Sequence, residues 1–125
     1  MKTTVTGQLN LVDETVNETL VPLQFPKIFP SLSGLIPAGW QRGVINSTTN
    51  GGSPVALDFG DVDQVKLFVL YIESGNGSIT MKHDSNTNGI VIDSGIVLQG
   101  KIADVTIETT STENLTYRWL ATGLD

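Results

Sequence analysis

The sequence predicts an all-β protein, an antiparallel β-sandwich or jelly roll of about 8–10 short strands with little or no helix. Apolar and polar residues alternate with a period of two over most of the chain. No window sustains the i, i+3, i+4, i+7 apolar spacing of an amphipathic helix. Turn signals rich in Gly, Asn, Asp and Pro punctuate the chain at roughly eight-to-twelve-residue intervals. The 125 residues suit one domain, 1–125, and 39% hydrophobic residues suffice for a core.

Val5, Gly7, Leu9 and Leu11 alternate with polar residues as a first strand, which Asp13-Glu14 ends. Thr15 to Leu23 reads as a second strand and pairs with the first as a hairpin. Residues 22–39 then form a proline-rich apolar connection or arm. Four of the five prolines fall at 22, 26, 30 and 37, and each removes an amide donor that a helix or central strand needs. The same stretch carries Phe25, Ile28, Phe29, Leu32, Leu35 and Ile36. Burying a large apolar side chain stabilises by roughly 1.5–3 kcal/mol, so this segment must pack on its own domain or on a neighbouring subunit. With Trp40 at its end, these residues are the candidate interface.

Trp40 to Asn46 reads as a third strand and Asn46 to Ser53 as a flexible loop. Val55 to Phe59 is a short strand that Gly60-Asp61 ends. Val65 to Ile72 is almost continuously apolar, as a central strand covered on both faces would be. Asn76-Gly77 signals a type I′ hairpin back into Ser78 to Lys82, with Ile79 and Met81 inward. After a turn at Asp84 to Gly89 come strands at Ile90 to Ile92, Ile96 to Leu98 and Asp104 to Thr109. Leu115 to Thr122 closes the fold with Leu115, Tyr117, Trp119 and Ala121 on one face.

Charge and composition exclude several function classes. Net charge is −6 and the seven Lys and Arg are scattered, so no cationic patch offers a nucleic-acid site. No cysteine is present, which removes disulfides, thiolate nucleophiles and cysteine-held metals. No segment reaches the ~18 apolar residues of a membrane-spanning helix, and the N-terminus lacks the apolar run of a signal peptide. The expectation is synthesis in a host cytoplasm without a leader. The surface is nevertheless rich in neutral polar residues. Only 16% of residues are charged, against roughly 25% in ordinary soluble domains, and four N-x-S/T sequons begin at Asn17, Asn46, Asn76 and Asn114. A virion protein that leaves its host by lysis reconciles these features.

Catalytic constellations are weak. The lone His83 sits beside Asp84 with no nucleophile motif near it. Glu18, Glu73, Glu108 and Glu113 stand in unrelated settings, so nothing favours a carboxylate pair. Asp84, Asn86 and Asn88 followed by Gly89 match the first half of a calcium loop, in which alternate oxygens converge on a hard cation. The twelfth position is Gly95 rather than the bidentate Glu, so an ordinary turn is expected and calcium is the one cofactor worth testing. Asp58, Asp61 and Asp63 form a second acidic group that joins the first only if folding brings them together. Trp40, Tyr117 and Trp119 are the aromatic rings a sugar-binding face would use, although the last two share the apolar face of their strand.

The second half carries a resemblance. Leu57-Asp-Phe-Gly-Asp61 leads into the apolar strand to Ile72, then Gly77-Ser-Ile-Thr80, Gly89-Ile-Val-Ile92 and the Gly-bounded Ile96-Val-Leu98. Asp104-Val-Thr-Ile107 and Tyr117-Arg-Trp-Leu-Ala-Thr-Gly123 complete the order. Residues 55–125 resemble small β-sandwich structural proteins of tailed bacteriophages, of the capsid-decoration, head-fibre and tail-associated kinds. The resemblance implies a non-enzymatic virion subunit that docks on other virion proteins, with no catalytic residues; the many sheet edges and the apolar arm lead to the expectation of a homo-oligomer. The alternative expectation is a monomeric module that binds a glycan or receptor through Trp40 and the Asp84–Gly89 loop.

Overall fold

Alternating apolar residues become strands wherever the chain leaves them uninterrupted. The computed structural model describes residues 2, 4, 7–13, 15, 18–25 and 35–125, and in 7–13, 18–25 and 36–40 the backbone alone. Its strands are β1 (Gly7–Asp13), β2 (Glu18–Phe25), β3 (Ile36–Ile45), β4 (Val55–Ala56) and β5 (Gln64–Ser74). Then follow β6 (Ile79–His83), β7 (Ile90–Ile92), β8 (Gly95–Ile102), β9 (Val105–Glu108) and β10 (Leu115–Leu124). A single 3-10 turn, Thr49–Gly52, is the only helical piece among the described residues.

β1 and β2 pair antiparallel as a two-stranded sheet, with Leu9 opposite Leu23 and Leu11 opposite Val21. The other eight strands form two antiparallel sheets, ordered β3-β10-β5-β8 and β4-β9-β6-β7. The pairs β3–β10, β4–β9, β5–β8 and β6–β7 are those of one long hairpin whose tip is the β6–β7 turn. Rolling that hairpin brings β10 beside β5 and β9 beside β6. This connectivity is a jelly roll.

Between the sheets lies one apolar core. Phe68, Leu70, Ile79, Met81, Ile107, Leu115 and Ala121 are fully buried in it. Phe59 packs edge-on against Trp119, ring centroids 5.5 Å apart, and against Phe68 at 6.1 Å. The predicted inward face of β10 is confirmed: Leu115, Tyr117, Trp119 and Ala121 are all buried. Tyr117 lies opposite Gly43 of β3, and a Cβ there would overlap the tyrosine hydroxyl, so the ring occupies the space glycine leaves.

β5 is covered on both faces, as its composition predicts. Pairing with β8 and β10 slips by one residue at Lys66, which leaves Lys66 as a bulge. Val65, Phe68 and Leu70 therefore face the core, whereas Leu67 packs with Leu35 and Val69 in a second, smaller cluster. Leu35 is 1% exposed and Leu67 2%.

Three expectations need correction. Asn76-Gly77 does not close a hairpin: β5 and β6 belong to different sheets, and Asn76 lacks the positive φ of a type I′ turn. Both strands already have partners on each side, so this loop bridges the sandwich instead. The third strand starts at Ile36 rather than Trp40, with Pro37 beside a bulge on an edge strand, where a missing amide is tolerated. The strand at Val55 is only two residues long, because Asp58 turns the chain by accepting a hydrogen bond from the Gly60 amide at 2.9 Å.

Among the described residues Phe68 is the largest fully buried side chain, and it belongs to the aromatic cluster. Phe68→Ala should cost about 3–5 kcal/mol, read as a lower urea midpoint at unchanged slope.

Candidate functional site

Two surfaces carry the residues singled out from the sequence. One is the polar tip of the rolled hairpin. The other is the apolar flank where β7 and β8 leave the two sheets.

At the tip, Asp84 and Ser85 both take positive φ, 51° and 62°. The Asn86 amide donates to the His83 carbonyl at 3.0 Å, so the tight turn of the chain sits here. Aspartate tolerates this left-handed backbone better than most residues, and serine there is strained. What holds the strain is a clamp on Asp84. One carboxylate oxygen accepts from the Ala103 amide at 2.6 Å, and the other lies 2.7 Å from His83 Nδ1. The Asp84 amide donates to the Asp104 carbonyl at 3.1 Å. The β6–β7 turn is thereby tied to the β8–β9 turn. Burial by itself would raise the Asp84 carboxyl's pKa. The hydrogen bonds from His83 and Ala103, with the charge of His83, outweigh it and hold the carboxyl below its ordinary value.

A depression of about 230 Å³ beside this clamp is lined by Lys82, His83, Asp84, Asn86, Asp104 and Thr106. A smaller one of about 110 Å³ brings Asp63 and Lys101 to the other side of Asp84. Of the second acidic group, Asp63 thus joins the first, while the Asp58 carboxylate caps its own turn. Both Asp84 oxygens are already engaged, and Asn86 and Asn88 are exposed. Among the described residues no three acidic or histidine side chains converge on one point.

Two of the candidate glutamates, Glu73 and Glu108, are engaged in ion pairs. Glu73 holds Arg42 at 2.7 Å on the outer face of its sheet. Arg118 Nε approaches Glu73 to 3.1 Å, close enough for an ion pair but not aligned as a hydrogen bond. Glu108 meets Lys82 at 3.6 Å. Exposed pairs of this kind contribute at most about 1 kcal/mol each.

The candidate interface residues fall in different places. Phe25 ends β2 opposite Gly7, and Ile36 and Trp40 lie on β3 opposite Gly123 and Leu120. The side chains of Phe25, Ile36 and Trp40, and the whole of Ile28, Phe29 and Leu32, lie outside the described residues. Leu35 is buried against its own chain's Leu67 and Val69, so at that point the segment packs on its own domain.

Sequence reading missed the exposed apolar residues of the flank. Val91 is 63% exposed, Val97 58%, and Ile90 is also exposed. β7 and β8 are the outer strands of their respective sheets and are joined directly through Asp93-Ser94. Their valines occupy ordinary strand positions in the sequence. Only the strand order reveals that, among the described residues, one side of each strand has no partner strand. Tyr117 and Trp119 are core residues rather than a sugar platform.

Fold and site together define an all-β jelly-roll domain with a clamped polar tip and an apolar edge. Comparison with protein-family models, with curated proteins and with solved structures returns no match for this chain.

Two outcomes follow from the clamp. The native Asp84 carboxyl binds its proton less readily than in the unfolded chain, whose ordinary value is 3.8. The clamp therefore stabilises the fold above that pH, and its contribution is lost as pH falls through the lower native value. Asp84→Asn, which keeps a left-handed-tolerant residue, should cost about 1 kcal/mol at neutral pH. The difference in melting temperature from the parent should close in strong acid. Calcium should leave the melting temperature unchanged, since a ligand at 100 times its dissociation constant would add roughly 2.7 kcal/mol and be easily seen.

Proposed function

We propose that this protein is a non-enzymatic structural subunit of a virion, docking on capsid or tail proteins in a decoration, head-fibre or tail-tip role and assembling as a homo-oligomer. The observation that carries the reading is the flank formed by β7 and β8. The outermost described strands of the two sheets lie there side by side, with Val91 and Val97 largely exposed, each on the outer face of its own sheet. An unpaired edge invites strand addition, and exposed apolar residues add burial energy when it occurs. Jelly rolls recur in viral capsid domains, which supports the reading by analogy of fold alone. The resemblance of residues 55–125 to phage structural proteins points the same way.

Jelly rolls also recur in lectins, and the polar depression beside Asp84 supports a second reading as a monomeric glycan- or receptor-binding module. That reading now rests on the tip residues and on Trp40. The other two candidate rings are in the core.

Light scattering after size exclusion separates the two. The structural subunit should elute as a closed oligomer. The double variant Val91→Lys, Val97→Lys should shift it to monomer while keeping the parent's circular dichroism and melting temperature. A parent that is monomeric at all concentrations removes self-assembly and leaves the binding module in front.

A further inference from the structure

Three Asn–Gly steps lie in exposed loops: Asn50–Gly51, Asn76–Gly77 and Asn88–Gly89. In such a step the glycine nitrogen attacks the asparagine side-chain carbonyl carbon, an approach that the missing Cβ leaves open. The new N–Cγ bond closes a five-membered succinimide. The side-chain amide nitrogen leaves as ammonia, carrying the proton lost by the glycine nitrogen. Water then opens the ring at one of its two carbonyls. One opening gives aspartate; the other gives isoaspartate, in which the main chain runs through the side chain and gains a methylene.

The three steps are held differently. At Asn50 both reacting groups are tied: the side-chain amide donates to the Pro54 carbonyl at 2.9 Å, and the Gly51 nitrogen donates to the Thr48 carbonyl at 3.0 Å. At Asn76 the backbone is pinned. Its carbonyl accepts from the Ser111 hydroxyl at 3.2 Å, while its side chain and the Gly77 nitrogen make no hydrogen bond among the described residues. At Asn88 neither the side chain nor the Gly89 nitrogen makes a hydrogen bond among the described residues. A Cβ on Gly89 would overlap the Thr80 methyl group, so this glycine lies close against β6, and what sets the step apart is that its reacting groups and its backbone carbonyl are unbonded.

We propose that Asn88 is a site of spontaneous deamidation and isoaspartate formation, and the fastest of the three. Its position gives the modification a structural effect. The inserted methylene falls two residues before Ile90, where β7 begins its pairing with Met81. β7 is a three-residue edge strand that carries the core residue Ile92 and the exposed Val91. Lengthening the backbone there shifts the strand against β6 and adds a negative charge to the tip turn. The chemistry stands independently of the docking role proposed above.

The test is site-resolved peptide mapping of the intact protein, native and in urea, sampled over days in mildly alkaline buffer at physiological temperature. In urea the three steps should react at similar rates. In the native protein Asn88 should stay close to its unfolded rate, while Asn50 is slowed about tenfold or more, as a locally held segment is. The Asn88→Gln variant should lose the fast acidic species on ion exchange, and Asn50→Gln should keep it. Native Asn50 or Asn76 reacting as fast as Asn88, or an acidic species that survives Asn88→Gln, would overturn the proposal.

Discussion

Trp119, Phe59 and Phe68 pack against one another as a triangle of rings, and this contact ties three parts of the chain together. Trp119 is on the last strand, Phe68 on the middle strand, and Phe59 on the loop between β4 and β5. The jelly roll requires that meeting. β10 is the strand that joins β3 to the β5–β8 pair, so the first sheet is incomplete until the C-terminal segment docks. Nearly every ladder in the sandwich is between distant segments. The entropy of closing those loops is lost before burial compensates it, so folding is expected to be slow and strongly cooperative.

The bulge at Lys66 is the second device on which the architecture depends. It turns Leu67 outward without interrupting the inward run of Val65, Phe68 and Leu70. Leu35 then covers Leu67 from the far side. The proline-rich connection is thus anchored at its C-terminal end before β3 begins. One residue of slip lets β5 bury side chains on both faces of its sheet, with Leu67 the one covered on the outer face.

Function, on the reading preferred here, is a matter of where the rolled hairpin ends. Among the described residues the two sheets stop at β7 and β8, each an outermost strand. Beside this flank the tip turn is held by Asp84, whose carboxylate reaches the β8–β9 turn at Ala103. A rigid polar tip beside an apolar edge presents a defined docking shape. The ordering cost of binding is then smaller than for a flexible loop.

The sequence by itself determined the elements and their faces. Alternation at Ile79 and Met81, at Val105 and Ile107, and from Leu115 to Ala121 named the buried side of each strand, because a period of two places every second residue on one face. It also identified the N-terminal hairpin and the doubly covered β5. Strand partners were not legible. Asn76-Gly77 carries the local chemistry of a hairpin, yet β5 and β6 part to opposite sheets, while Asp84 and Ser85 take the left-handed turn at the tip. The exposure of Val91 and Val97, the burial of Leu35 and the clamp from Asp84 to Ala103 all came from tertiary structure. Each depends on which distant segment lies alongside. Pairing energy is shared over whole strands and both sheet faces, so no short window of sequence contains it.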